Sequence, residues 1–147
     1  MSSYSIWGPV QSIFYFRRGV RLVSTASHGG LMISEVFAKK HIPEAILEET
    51  PFASSCYQFE EDCALNIPLF FCPSLLIDMV NSFYPRCSRE EKLEHLQKHI
   101  HYTIEGMNLY YLRLLGKYPS VLNAFHEFEE KCSSDNTIFA EDVAVMA

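Results

Sequence analysis

The sequence predicts an α+β fold: a small antiparallel sheet from the first third, packed against a helical remainder with one long helix. Three observations predict it. Residues 13–23 alternate aromatic and β-branched side chains around a glycine turn, as a β-hairpin does. From residue 73 onward apolar residues recur at helical spacing between prolines and capping residues. The chain has 147 residues, 48% of them hydrophobic and 20% charged, which is a globular composition rather than a disordered one. A chain of this length buries about 68–70% of its unfolded surface, so it needs no metal or disulfide merely to fold. One domain over 1–147 is expected, β-rich at 10–33, mainly helical at 57–131, with a tail at 133–147.

Ile13-Phe14-Tyr15-Phe16 is expected to be one strand and Val20-Arg21-Leu22-Val23 its return, with Gly19 taking the positive φ of the turn. Thr25-Ala26-Ser27-His28-Gly29-Gly30 reads as a small-residue loop, and Leu31-Met32-Ile33 as a third short strand. Ser34 is an N-cap for a helix over Glu35 to His41. Pro43 and Pro51 bound an irregular or briefly helical segment. Tyr57 to Phe71 is ambiguous: Phe59, Cys63 and Ile67 recur at helical spacing, while Pro68 would end or kink such a helix. Pro73 opens a helix that runs to about Tyr84. Ser88-Arg89-Glu90-Glu91 has the form of a capping box. From there Leu93, Ile100, Met107 and Leu114, with Leu96, Ile104 and Tyr111, predict a seam on one helix of about 25 residues, ended by Gly116 and Pro119. Such a seam is buried within the monomer or, alternatively, joins a homodimer. Val121, Leu122, Phe125 and Phe128 mark a last amphipathic helix.

Twelve basic against eighteen acidic residues give a net charge of −6. That disfavours non-specific binding to a phosphate backbone, which is driven by Lys and Arg. It does not exclude a small anionic ligand, because a local pocket of N–H groups acts against the global charge. No apolar run approaches the length of a membrane span. The N-terminal residues Met1 to Ser5 show no basic region followed by an apolar one, so a cytoplasmic protein is expected. Five cysteines, with no CxxC pair, read as reduced, buried, small apolar residues.

The loop from Thr25 to Gly30 carries the most chemistry. Two adjacent glycines can take positive φ and present N–H groups to an anion. Thr25 and Ser27 add hydroxyls, and His28 adds an imidazole that can donate or accept. The plain alternative is a sharp turn whose hydroxyls cap their own backbone. Glu60-Glu61-Asp62 is the second feature. One of these carboxylates beside His28 would fix its tautomer as in an acid–base pair, with His28 and Glu61 the candidate catalytic residues; the plain alternative is a solvated acidic patch.

The stretch Gly19 to Gly30, with its Thr25-x-x-His28-Gly29-Gly30, followed by Tyr57-x-x-Glu60-Glu61-Asp62, resembles a family of small uncharacterised domains found in phages and other mobile elements. The resemblance covers about residues 7 to 70. It implies a phage or mobile-element accessory gene and a shared site built from Thr25, His28, Gly29, Gly30, Glu60, Glu61 and Asp62. The family has no established activity to carry over, and the resemblance leaves any cofactor unknown.

Glu91, His95 and His99 lie on one helical face, but the His-Glu-x-x-His pattern of zinc enzymes is absent, so a hydrogen-bonded helix edge is expected there and no metal site. Cys63, next to the acidic run, is a weak nucleophile candidate. Three function classes follow. The first is a module that binds a small anionic ligand such as a nucleotide on the loop Thr25, Ser27, His28, Gly29, Gly30 with Glu60, Glu61 and Asp62; a phage protein that sequesters host defence signals would look like this. The second is an inhibitor of a host protein. The third is a hydrolase or transferase that uses His28 with an acidic partner.

Overall fold

The computed structural model describes residues 4–62, 64–106, 109–134 and 137–139. They form two compact units, 1–72 and 73–147. The first holds the antiparallel sheet and the second is helical, so the class is α+β.

In the first unit, β1 (Tyr4–Ser5) and β2 (Gly8–Pro9) make a minimal hairpin, with Gly8 at φ 117°. Strands β3 (Ser12–Arg17) and β4 (Val20–Ser24) are the expected hairpin, and Gly19 takes φ 83° in its turn. The pairing shifts register between Tyr15 and Arg17, a bulge that turns the strand end. Strand β5 (Gly29–Ser34) is longer than the expected third strand and begins with the two glycines. Helix α1 (Glu35–His41) follows at once, and the Ser34 hydroxyl accepts from the Phe37 N–H, as its N-cap position requires. Helix α2 (Glu44–Leu47) is the brief helix between Pro43 and Pro51. Then β6 (Phe52–Ala53) and β7 (Cys56–Glu60) form a hairpin, and α3 (Asn66–Phe71) ends the unit.

The sheet order is β3-β4-β5-β7-β6, so β5 is central. This corrects the helical expectation for residues 57–60. A strand buried on both faces shows no clean alternation, and the helical spacing joins Phe59 in a strand to Ile67 in a helix, with Cys63 outside the described residues. Pro68 does not end a helix either. It is the third residue of α3, where the N–H it lacks would have had no acceptor. Cross-strand register puts Val23, Met32 and Gln58 on one face, where Val23, Met32 and Cys56 form a cluster with Trp7, Val10 and Ile13 packed against it. Leu31 and Phe59 pair on the other face. Helix α1 packs on β5 and β7.

In the second unit, α4 (Leu75–Phe83) follows Pro73 and α5 (Arg89–Glu105) starts from a complete capping box at Ser88 and Glu91. The expected 25-residue helix is two helices. Gly106 caps α5 through its N–H to the Tyr102 carbonyl, and α6 (Leu109–Leu115) is separate. Glycine in a helical pattern is a weak point, and here the helix stops at it. The buried stripe of α5 is Lys92, Leu96, Ile100 and Thr103, rotated from the expected seam, with Leu93 and Ile104 half-buried. Met107 lies outside the described residues. Pro119 does not end a helix but opens α7 (Pro119–Ser134), which buries Phe125 and Cys132. Helices α4 and α7 both pack on α5. Ser133 and Ser134, expected in the tail, close α7; residues 140–147 lie outside the described set.

Candidate functional site

The site grows from the β4–β5 turn. Thr25 closes it: its N–H donates to the His28 carbonyl at 2.7 Å, and its Oγ1 accepts from the His28 N–H at 3.1 Å and the Ser27 N–H at 3.4 Å. The Thr25 hydroxyl also reaches the His28 carbonyl at 2.7 Å. Thr25 is therefore spent on shaping the turn, as small hydroxylated residues often are. Ser27 and His28 are exposed at its tip.

Gly29 and Gly30 depart from expectation. They are not a loop and take no positive φ; they pair with Ser24 and Val23 on one side and Gly30 pairs with Glu60 on the other. The Glu61 N–H donates to the Gly29 carbonyl at 2.9 Å. An anion-binding concavity of their amides is thus absent. What the positions need is the lack of a side chain. A Cβ at Gly30 would strike the Phe59 carbonyl oxygen and stand 2.7 Å from the Trp7 ring, and one at Gly29 would be 2.5 Å from the Val23 carbonyl oxygen.

The β5–β7 pairing brings the two motifs together. His28 Nδ1 lies 3.5 Å from Glu60 Oε1, with the two side chains 52% and 45% exposed, open enough to be reached from solvent. Glu61 is on the opposite face of the sheet, its Oε2 beside the space over Gly29. His28 thus faces Glu60 and not Glu61. Asp62 is exposed in the following turn, and Cys63 lies outside the described residues. Among the described residues no group of three or more His, Cys, Asp or Glu is placed to hold a metal.

Two residues support the site, Gln58, expected to add hydrogen bonds beside the acidic run, and Trp7, which the sequence reading missed. The Gln58 side chain is buried, accepts from the Ile6 N–H at 2.8 Å through Oε1 and donates to the Ala53 carbonyl at 3.0 Å through Nε2. It ties β1–β2 and β6 to the strand that carries Glu60. Trp7 lies over Gly30. The glutamine beside the acidic run and the single tryptophan are visible in the sequence, but neither has a partner legible in one dimension.

The histidine edge of α5 is built of aromatic contacts. The Tyr84 ring stacks on His95 at 3.6 Å, and its hydroxyl lies 3.3 Å from His99 Nε2. Burial, then the neighbouring His95, holds His99 below its ordinary value. The backbone N–H of Ser88, then its hydroxyl, holds Glu91 low in the same way as any carboxylate that accepts hydrogen bonds.

No helix among the described residues is long and apolar enough to cross a membrane. No curated protein and no protein of solved structure matches the chain. One family model does, described as Domain of unknown function (DUF7007), over residues 1–108. That match takes in the whole sheet unit, both motifs and helix α5, and the chain belongs to the DUF7007 family.

Proposed function

We propose that this chain is a small binding module that takes an anionic small molecule, such as a nucleotide, on the His28 and Glu60 pair. The observation that carries the reading is the 3.5 Å approach of His28 Nδ1 to Glu60 Oε1, which joins the two sequence motifs at one accessible place. Glu60 occupies Nδ1, so Nε2, across the ring, is the nitrogen offered to a ligand. A protonated imidazole there donates to a phosphate or carboxylate oxygen. The backbone amides of the turn are engaged by Thr25, so recognition falls to side chains. Glu60 accepts from hydroxyl or amine groups of the same ligand, which a nucleoside supplies. The resemblance to phage and mobile-element domains supports a setting, an accessory protein that holds a nucleotide signal away from host defence in the host cytoplasm.

The same pair favours a second reading. An imidazole oriented by a carboxylate is an acid–base arrangement, so a hydrolase or transferase would use His28 as the proton carrier and Glu60 as its orienting partner. One experiment separates the two. Nucleotides, cyclic nucleotides and ADP-ribose are titrated calorimetrically into the wild type, His28→Ala and Glu60→Gln, and each mixture is analysed for product. Binding that His28→Ala weakens about tenfold, with the ligand intact, supports the module. Turnover that disappears in His28→Ala supports the enzyme. Silence of every ligand sinks both.

A further inference from the structure

The other end of the β3–β4 hairpin carries a second, unassigned feature. Three of the twelve basic residues of this acidic chain, Arg17, Arg18 and Arg21, fall within five positions. Residues 15–21 line an open cleft of about 450 Å³. Arg21 is half-buried, and its Nε is buried with no hydrogen-bond partner. Among the described residues its Nη2 meets the Cys56 sulfur, at 3.9 Å, a weak acceptor. Among the described residues no carboxylate pairs with Arg21 or with the exposed Arg18. A guanidinium left without an anion at a cleft wall is costly unless a ligand completes it.

We infer that this cleft is a binding site for a small phosphorylated ligand, held by Arg18 and Arg21. Guanidinium groups match phosphate oxygens through paired N–H donors. Tyr15 lies directly across from Arg21 in the pairing and is 57% exposed, so a planar group attached to the phosphate has a ring to lie against. The bulge between Tyr15 and Arg17 and the positive φ of Gly19 fix the turn on which Arg18 stands. Arg17 is directed in part to the Cys72 sulfur, 3.9 Å from its Nη1, and the site does not depend on it. The positive field of the region is felt at His41, which Lys40 and Arg17 hold below its ordinary value after burial has done so.

The cleft volume suits a small molecule rather than a nucleic-acid strand, and the net charge of −6 opposes a polyanionic polymer. The site is also separate from the His28 and Glu60 pair. Val20 and Ser24 stand at opposite ends of β4, about 13 Å apart at the usual strand rise.

The test is calorimetric titration of the full-length protein with sodium pyrophosphate. Saturable binding is expected, weakened about tenfold or more by Arg18→Ala and by Arg21→Gln. Arg18 is exposed, so its variant keeps the fold if Arg21→Gln does not. Titration of ADP beside pyrophosphate tells the two sources of phosphate apart. Equal affinity assigns a free phosphoryl anion, and a gain of about tenfold that Tyr15→Ala and the arginine variants remove assigns a nucleoside diphosphate with its base at Tyr15. Pyrophosphate and ADP both without saturable binding, or binding that both arginine variants leave intact, would overturn the assignment.

Discussion

Gly30 stands at the crossing of three constraints: a central strand, the Phe59 carbonyl on its neighbour and the Trp7 ring above. None of these can move far. The clash is with backbone, and β5 is paired on both sides. Gly30→Ala is therefore expected to cost about 1–3 kcal/mol, the usual range for overpacking. Urea unfolding followed by fluorescence of Trp7, the only tryptophan, reads this directly. Gly116→Ala is the contrast, because a Cβ there meets only the Arg113 and Leu112 carbonyls at 3.4 Å. A Gly30→Ala midpoint equal to that of the wild type would remove the packing account of the glycine pair. The same residue shows what one dimension hides. Adjacent glycines after a strand read equally as a loop that binds an anion and as a strand with no room for side chains. Only the neighbour in space, Phe59, decides between them.

At the scale of elements, the hairpin of β6 and β7 carries visible strain. Its two turn residues, Ser54 and Ser55, have φ of 55° and 62°. That left-handed pair fits the twist of a two-residue hairpin, but non-glycine residues hold it at a cost of about 1–2 kcal/mol each. Ser55→Gly is expected to raise stability by about 1 kcal/mol in the same urea assay, and a loss of stability would refute the turn as described. Helix α5 gives a pH prediction. His99 is held below 6.5 by burial and by His95, so the unfolded chain binds its proton more tightly than the folded one. Stability from this group is complete above about pH 6.5 and is lost as pH falls from there through the folded value. His99→Gln keeps a partner for Tyr84 without titrating, and a flatter stability profile below about pH 6.5 is the expected outcome. An unchanged slope would assign the dependence to His41, which burial holds low in the same direction. The elements legible in the sequence were those with local signals: the Gly19 hairpin, the Ser34 cap, the Ser88 capping box. The β6–β7 hairpin was not among them, because Ser-Ser is no turn dipeptide and β7 takes its place from its pairing with β5. The contact of His28 with Glu60 was invisible for the same reason, since it follows from a strand that reads as helix.

At the scale of the molecule, the family match ends at residue 108, just past the end of α5. The fold does not end there. Helix α7 packs on α5, buries Phe125 and Cys132, and receives a hydrogen bond from Gln97 Nε2 to the Cys132 carbonyl at 3.5 Å. Phe139, buried beyond α7, sits under the Lys92 ammonium at 5.9 Å. Helix α5 is thus covered by α7 and Phe139 as well as by α4. A fragment of residues 1–108 would keep the sheet unit with His28, Glu60, Arg18 and Arg21 but would uncover the part of α5 on which α7 and Phe139 lie. Exposed apolar faces of this kind bind hydrophobic dyes and associate. The fragment is therefore expected to bind an apolar dye and to lose the cooperative melting of its helical signal, while the full chain does neither. A monomeric fragment that melts at the full-length midpoint would mean that α5 needs no cover from α7. The core of the second unit would then have to be assigned to α4 and α5 alone, with α7 a separable addition to the family's shared region.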